Sequence, residues 1–126
     1  MTPHELMLAI DTQLAHVWMV RAFLKHSEEA AEDEELAEVH RELYDFMLAL
    51  GGQFKEGNAD EYLKFARKKF GKLKRATEQF ATIQPEISQH TNFFMAAASL
   101  SSAVGEVGRL LEIGGGKGGT GRQGER

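Results

Sequence analysis

The residue type least expected in its surroundings is Arg21, which lies in the first predicted helix. On a helical wheel at about 100° per residue it falls between Ile10 and Leu14, in an arc that is otherwise apolar. A guanidinium among apolar side chains costs free energy unless it is paired. We therefore expect Arg21 to have a partner, which is a carboxylate, a carbonyl or a ligand.

Arg21 and His26 form an Arg-x4-His string near the end of the same helix. The string resembles the motif of HEPN ribonucleases, in which the arginine and histidine act on the RNA backbone in a cleft between two protomers. Ala22 stands where that family usually has a polar residue. The resemblance implies a ribonuclease with Arg21 and His26 as catalytic residues. The competing interpretation is a buried, paired Arg21 with a structural role.

Five histidines are the remaining side chains suited to metal chemistry, because the chain has no cysteine. A di-metal site in a helical bundle needs Glu-x-x-His on two helices, so that both ligands face inward one turn apart. No histidine here has a glutamate three residues before it. We predict no metal and no cofactor, and we expect the histidines at the surface or at helix edges.

The string Gly116-Lys117-Gly118-Gly119-Thr120-Gly121-Arg122 looks like the deviant phosphate loop of partitioning-type ATPases. Such a loop needs a strand before it and a helix after it, so that backbone amides point at the phosphates. Only four residues follow Arg122, which stands where that family has lysine. We interpret residues 114–126, with seven glycines, as a flexible tail.

A basic run extends from Lys64 to Arg75 and contains seven of the 15 Lys and Arg residues and no acid. Cations with an aromatic residue among them suit a nucleic-acid surface, because they neutralise phosphates while the ring stacks on a base. The candidate nucleic-acid-binding residues are Lys64, Phe65, Arg67, Lys68, Lys72 and Arg75. Two alternatives remain open: the run neutralises the acidic face of the second predicted helix, or it docks on that face of another protomer. The acidic face consists of Glu38, Glu42 and Asp45.

Hydrophobic periodicity predicts four helices and an all-α fold. The first begins at Thr2-Pro3-His4-Glu5, which has the threonine cap, the proline and the glutamate of a capping box. We expect Gly51-Gly52 and Gln84-Pro85 to end the second and third helices, and an acidic connection over residues 27–33. The predicted helices span residues 3 to about 25–27, 34–50, 59–82 and 85–113. The expected architecture is an antiparallel up-down four-helix bundle over residues 1–113, followed by a disordered Gly-rich tail over 114–126.

The first predicted helix is apolar on most of its circumference, since Leu8, Ala15, Met19 and Ala22 lie opposite its main apolar arc. A helix of this kind has to be surrounded. One small bundle does not cover both sides as easily as a bundle plus a partner does. We therefore assign Trp18, Met19 and Phe23 to an interaction surface, filled by a second copy of the chain or by another helical protein.

The C-terminal half of the chain carries a further resemblance. Glu106-Val107-Gly108-Arg109-Leu110-Leu111, preceded by Tyr62-Leu63 and a Lys/Arg-rich helix, is similar to a four-helix-bundle family. That family comprises proteins encoded in ribosomal RNA intervening sequences and accessory proteins of diversity-generating retroelements. The resemblance implies a homo-oligomer, pentameric in that family, and an RNA partner bound through a basic surface.

These features predict a non-enzymatic helical interaction or scaffold protein that forms a homo-oligomer. The surfaces expected to act are the apolar first helix and the small Ala, Ser and Gly residues of the fourth predicted helix. The first alternative is an RNA-binding accessory protein, and the second is the Arg21/His26 ribonuclease. The longest apolar stretch is far shorter than the roughly 18 residues of a spanning helix. No secretion signal is evident either, so we expect a cytoplasmic protein with no membrane partner.

Overall fold

The computed structural model describes residues 1–115, and this part of the chain is helical with no strand. The all-α prediction is confirmed, with five helices where four were expected. They are α1 (Pro3–Lys25), α2 (Glu28–Glu32), α3 (Glu34–Glu56), α4 (Ala59–Ile87) and α5 (Thr91–Gly115). The phosphate-loop-like string and residues 116–126 of the predicted tail lie outside the described residues.

The start of α1 is the capping box that the sequence predicts. The Thr2 hydroxyl accepts a hydrogen bond from the Glu5 backbone N–H at 3.1 Å, and the Glu5 carboxylate accepts one from the Thr2 N–H at 2.8 Å. Two of the N–H groups that a helix start leaves unpaired are satisfied in this way.

Residues 27–33 were expected only to connect the first two predicted helices, but they contain the short helix α2. Ser27 accepts a hydrogen bond from the Ala30 N–H at 3.1 Å and so caps α2. Asp33 accepts one from the Leu36 N–H at 2.9 Å and caps α3. Two capping residues six positions apart leave room for one helical turn, which the buried Ala30 holds against the core.

Gly51-Gly52 does not end the second predicted helix, which continues as α3 to Glu56. The ring of Phe54 packs against the core and lies 6.2 Å from the ring of Tyr62, so an extra turn of helix gains buried apolar contact. Gly57, in the left-handed conformation with φ 70°, caps the helix instead.

Pro85 does not reverse the chain, because α4 continues through it to Ile87. Ile83 and Ile87, one turn apart, pack against the core, and this contact holds the last turn helical. The Gln84 amide then donates a hydrogen bond to the Ser88 carbonyl at 2.8 Å. The reversal therefore falls at residues 88–90, and α5 begins at Thr91 instead of Pro85.

The four long helices share one core, in which α1 packs against α3 and α5, and α4 packs against the same two helices. Residues spaced three and four apart predict one seam on each of α3 and α4, and both seams are buried except for the half-buried Phe70. The seam of α3 is Leu36, Val39, Leu43, Phe46 and Leu50, and that of α4 is Leu63, Ala66, Phe70, Leu73, Thr77 and Phe80. Phe70 lies against α5 at Gly108, where an added Cβ atom would come within 2.9 Å of its ring. Small residues on α5 thus permit the close approach of α4 at this point.

The apolar first helix is covered on one side only. Its inner side is buried along its whole length, and these residues are Leu6, Met7, Ile10, Leu14, Val17, Val20 and Leu24. On the outer side Leu8 and Met19 are exposed. The single chain therefore leaves the outer side of α1 uncovered, and its coverage by a partner stays a prediction.

Candidate functional site

Two of the three residues assigned to an interaction surface are exposed. Trp18 is 45% exposed and Met19 is 66% exposed. The third, Phe23, is half-buried, and its ring makes an edge-on contact with the ring of Phe93 on α5, with centroids 5.0 Å apart. Phe23 therefore contributes to packing between α1 and α5 more than to a free surface.

Helix α3 adds exposed apolar residues that the sequence analysis missed. The ring of Tyr44 lies 6.5 Å from the ring of Trp18, and Leu48, one turn further along α3, is 64% exposed. On α1, Leu8 lies on the same side as Met19, eleven residues or three turns away. We call this surface the α1/α3 face; its residues are Leu8, Trp18, Met19, Tyr44 and Leu48. Leu48 also lines the cleft that holds Lys69 and Lys72 of α4. These two residues could have been found from the sequence, because Tyr44 and Leu48 are large apolar residues that lie outside the buried seam of α3.

Arg21 has aromatic neighbours where a carboxylate, carbonyl or ligand was expected. Its guanidinium carbon lies 4.5 Å from the centre of the Trp18 ring and 4.7 Å from that of Tyr44. Both distances fit a cation–π contact. Its Nε atom is buried and has no hydrogen-bond partner among the described residues. Arg21 is thus held by stacking, with its charge not neutralised by an ion pair to any described carboxylate.

His26, the predicted catalytic partner of Arg21, is exposed at the end of α1, where its backbone N–H donates to the Ala22 carbonyl. A cleft of about 520 Å³ contains Arg21, and the histidine that lines it is His40 of α3. Burial and the nearby cations of Arg41, Arg21 and Lys25 lower the pKa of His40 below its usual value. The sequence places Arg21 and His40 on different helices, so only the packing of α1 on α3 reveals this pairing.

The basic run of α4 forms an exposed surface that we call the basic face. All seven cations are exposed: Lys64, Arg67, Lys68, Lys69, Lys72, Lys74 and Arg75. Phe65 is half-buried and packs against the core, so its side chain is only partly exposed. Its stacking on a base stays a prediction.

Ion pairs do not join the basic face to the acidic face of α3 within residues 1–115. The salt bridges there are Glu34–Arg41 and Glu106–Arg109, each within one helix. Lys69 and Lys72 share a cleft with Glu42 and Asp45 but form no salt bridge with them. Within residues 1–115 the basic face therefore lies near the acidic face of α3 without forming ion pairs with it.

A buried polar contact links α1 to α4 beneath these surfaces. The Tyr62 hydroxyl donates a hydrogen bond to the Asp11 carboxylate at 3.2 Å. Burial raises the pKa of Asp11 above its usual value, although this hydrogen bond opposes the shift. Burial and the Asp11 charge raise the pKa of Tyr62 as well, so the phenol stays protonated and keeps donating.

No group of three or more His, Cys, Asp or Glu side chains suited to a metal ion occurs among residues 1–115. In the same part of the chain, no helix has the length and apolar character needed to cross a membrane.

Neither a family model, nor a curated protein, nor a solved structure matches this chain. The resemblances to HEPN ribonucleases and to the ribosomal intervening-sequence family therefore stay predictions.

Proposed function

We propose that the chain is a non-enzymatic interaction protein that forms a homo-oligomer through the α1/α3 face. The supporting observation is the exposure of large apolar side chains on two adjacent helices, whose Trp18 and Tyr44 rings lie 6.5 Å apart. Contiguous apolar patches on a protein surface mark interaction sites, because covering them removes apolar area from water.

The scaffold in this proposal is an up-down antiparallel four-helix bundle, with α2 as an insertion. Contacts at both ends of α1 support the antiparallel order. Phe23 near the end of α1 contacts Phe93 near the start of α5. At the other end, a Cβ atom added to Gly114 would lie 2.6 Å from Leu6. The short connections between α3 and α4 and between α4 and α5 also suit antiparallel neighbours.

We take a second copy of the chain as the partner, because a two-fold axis places the same surface of each copy opposite the other. The α1/α3 face presents apolar stripes on α1 and α3, and such an axis through it brings each stripe onto its equivalent or its neighbour. The rings of Trp18 and Tyr44 are the expected energetic centre, since aromatic residues dominate the interfaces that have been measured.

Sedimentation equilibrium at micromolar concentration tests the proposal with the matched pair Met19→Lys and Phe94→Lys. Phe94 is 60% exposed but lies elsewhere, in a cleft with Gln84 and Pro85. We expect an oligomer for the wild type and for Phe94→Lys. Met19→Lys places an unpaired charge in the interface, so its dissociation constant rises by at least about 100-fold. A monomeric wild type would disprove the proposal.

The second candidate function is RNA binding by the basic face. The observation that favours it is that none of its seven exposed cations forms a salt bridge with a described carboxylate, so all are available to phosphates. Phosphate contacts release counterions, and the affinity then falls linearly with salt on logarithmic axes.

Fluorescence anisotropy with a labelled single-stranded RNA, titrated at several salt concentrations, tests this second function. The double variant Lys68→Gln/Arg75→Gln is expected to bind more weakly and with a smaller salt slope. Lys55→Gln, an exposed cation on α3, is the control and should match the wild type. Binding without salt dependence, or no binding at low salt, would exclude the basic face as an RNA surface.

A further inference from the structure

The cleft between α1 and α3 brings together cationic side chains that are far apart in the sequence. Arg21 and Lys25 line it from α1, and His40 and Arg41 line it from α3. Its volume of about 520 Å³ lies within the usual range for sites that hold small molecules.

Arg21 is prepared for a ligand in a way that the other cations are not. Cation–π contacts with Trp18 and Tyr44 restrict the motion of its guanidinium, and its Nε atom is already buried. A guanidinium restricted in this way loses less conformational entropy when it binds an oxyanion, and its N–H groups match two oxygens of a phosphate. No described carboxylate forms a salt bridge with Arg21 or Lys25, so this charge is available.

His40 reports the electrostatic character of the same place. The cations of Arg41, Arg21 and Lys25 all disfavour its protonation, after the effect of burial. Arg41 is held in a salt bridge with Glu34 at 3.0 Å, so we assign it no ligand contact. The remaining three donors are Arg21, Lys25 and His40.

Three carboxylates, Glu38, Glu42 and Asp45, line the same cleft and restrict the chemistry of a suitable ligand. Carboxylates accept hydrogen bonds from hydroxyl groups, as acidic residues do for the ribose of bound nucleotides. They also repel a second phosphate, which argues against a polyphosphate or a continuing nucleic-acid backbone.

We propose that this cleft binds the phosphate monoester of a small hydroxyl-bearing molecule, with the phosphate at Arg21, Lys25 and His40 and the hydroxyl groups at the carboxylates. The site contains no cation of the basic face, although Glu42 and Asp45 also line the cleft that holds Lys69 and Lys72. Tyr44 lines the site and belongs to the α1/α3 face as well, so we expect the phosphate monoester and a second copy of the chain to compete. Trp18, the one tryptophan of the chain, stacks on Arg21 and serves as the reporter.

The test is a titration of the full chain with ribose 5-phosphate in phosphate-free buffer at low salt. It is followed by Trp18 fluorescence and by isothermal titration calorimetry. We expect saturable binding that Arg21→Gln weakens by about tenfold or more, as expected for the loss of a hydrogen bond to a charged group. Lys25→Gln removes an exposed cation without touching the core, and it should weaken binding as well. Circular dichroism of each variant checks that the helices are intact.

Arg75→Gln is the charge-matched control on the basic face, and we expect it to bind like the wild type. An equal loss in Arg75→Gln and Arg21→Gln would show attraction to net charge alone and would overturn the proposal. The absence of any saturable response would overturn it too. Inorganic phosphate is expected to bind more weakly than ribose 5-phosphate, and equal affinity would disprove the role of the carboxylates.

Discussion

Two surfaces of the molecule meet solvent in opposite ways. On the α1/α3 face, Met19 and Leu48 expose 66% and 64% of their surface, and Arg21 beside it contacts the rings of Trp18 and Tyr44. On the basic face, Arg75 and its neighbours extend into water. Exposed apolar side chains are unfavourable in water, and a partner that covers them lowers the free energy. Exposed cations are well hydrated, and they bind a polyanion because its counterions are released. The two faces therefore favour different partners and should respond to different substitutions.

The largest expected effect separates two arginines of opposite environment. Arg21→Ala removes two cation–π contacts and a partly buried aliphatic stem, and it should lower the free energy of unfolding by about 2 kcal/mol. Arg75→Ala removes an exposed side chain and should change it by less than about 0.5 kcal/mol. Urea denaturation of both variants measures the difference. Equal effects would show that stacking does not hold Arg21.

The α1/α3 face and the basic face are expected to act independently of each other. With an RNA short enough to contact one protomer, Lys68→Gln/Arg75→Gln should bind about tenfold more weakly. Its oligomer mass should equal that of the wild type. Met19→Lys should show the reverse, with altered mass and unchanged affinity for this RNA, because distant sites act additively. Anisotropy and sedimentation on the same samples decide the matter, and a variant that alters both properties would contradict separate surfaces.

A smaller effect tests whether the basic face is free of packing. At Gly71 in α4, an added Cβ atom would meet only the flexible end of Arg75, at 3.3 Å. Gly71→Ala should therefore raise the free energy of unfolding by about 0.5–1 kcal/mol through helix propensity. Gly108→Ala on α5 is the contrast, because its Cβ would lie 2.9 Å from the Phe70 ring, and it should destabilise the protein. A loss of stability in Gly71→Ala would show that something packs there.

The smallest effect concerns pH and belongs to the cleft beside the α1/α3 face. The pKa of His40 is lowered from 6.5 in the folded chain, so the unfolded chain binds a proton more readily. The groups that face His40 are Arg21 and Lys25 of α1 and Arg41 of α3, together with the carboxylates of the cleft. Stability is therefore full above pH 6.5 and declines as the pH falls below it. His40→Gln should remove that part of the decline in urea denaturation, and an unchanged pH profile would contradict it.

Local signals predicted much of the fold. The Thr2 and Glu5 capping box and the buried seam from Leu36 to Leu50 follow from spacing along one helix. The errors at Gly51-Gly52 and Pro85 share a cause. In both places residues beyond the expected stop, Phe54 and Ile87, pack against the core and extend the helix. Tertiary packing outweighed the local preference to end the helix, and the sequence of one helix does not encode that packing.

The candidate sites were predicted only in part, for a related reason. The wheel identifies Arg21 as unusual, because that depends on its own helix alone. It does not identify Tyr44 or His40 as neighbours, because that depends on how α1 and α3 are aligned when they pack. Likewise, the composition of the basic run was evident in the sequence, but its lack of salt bridges to described residues required coordinates.

The most direct test of the proposed interface is acrylamide quenching of Trp18 fluorescence over a dilution series of the wild-type chain. Trp18 is 45% exposed in the single chain and lies at the centre of the α1/α3 face. If a second copy covers this face, the quenching constant falls as the protein concentration rises, and Met19→Lys abolishes the change. A quenching constant that stays high and independent of concentration up to the highest concentration tested would contradict the account.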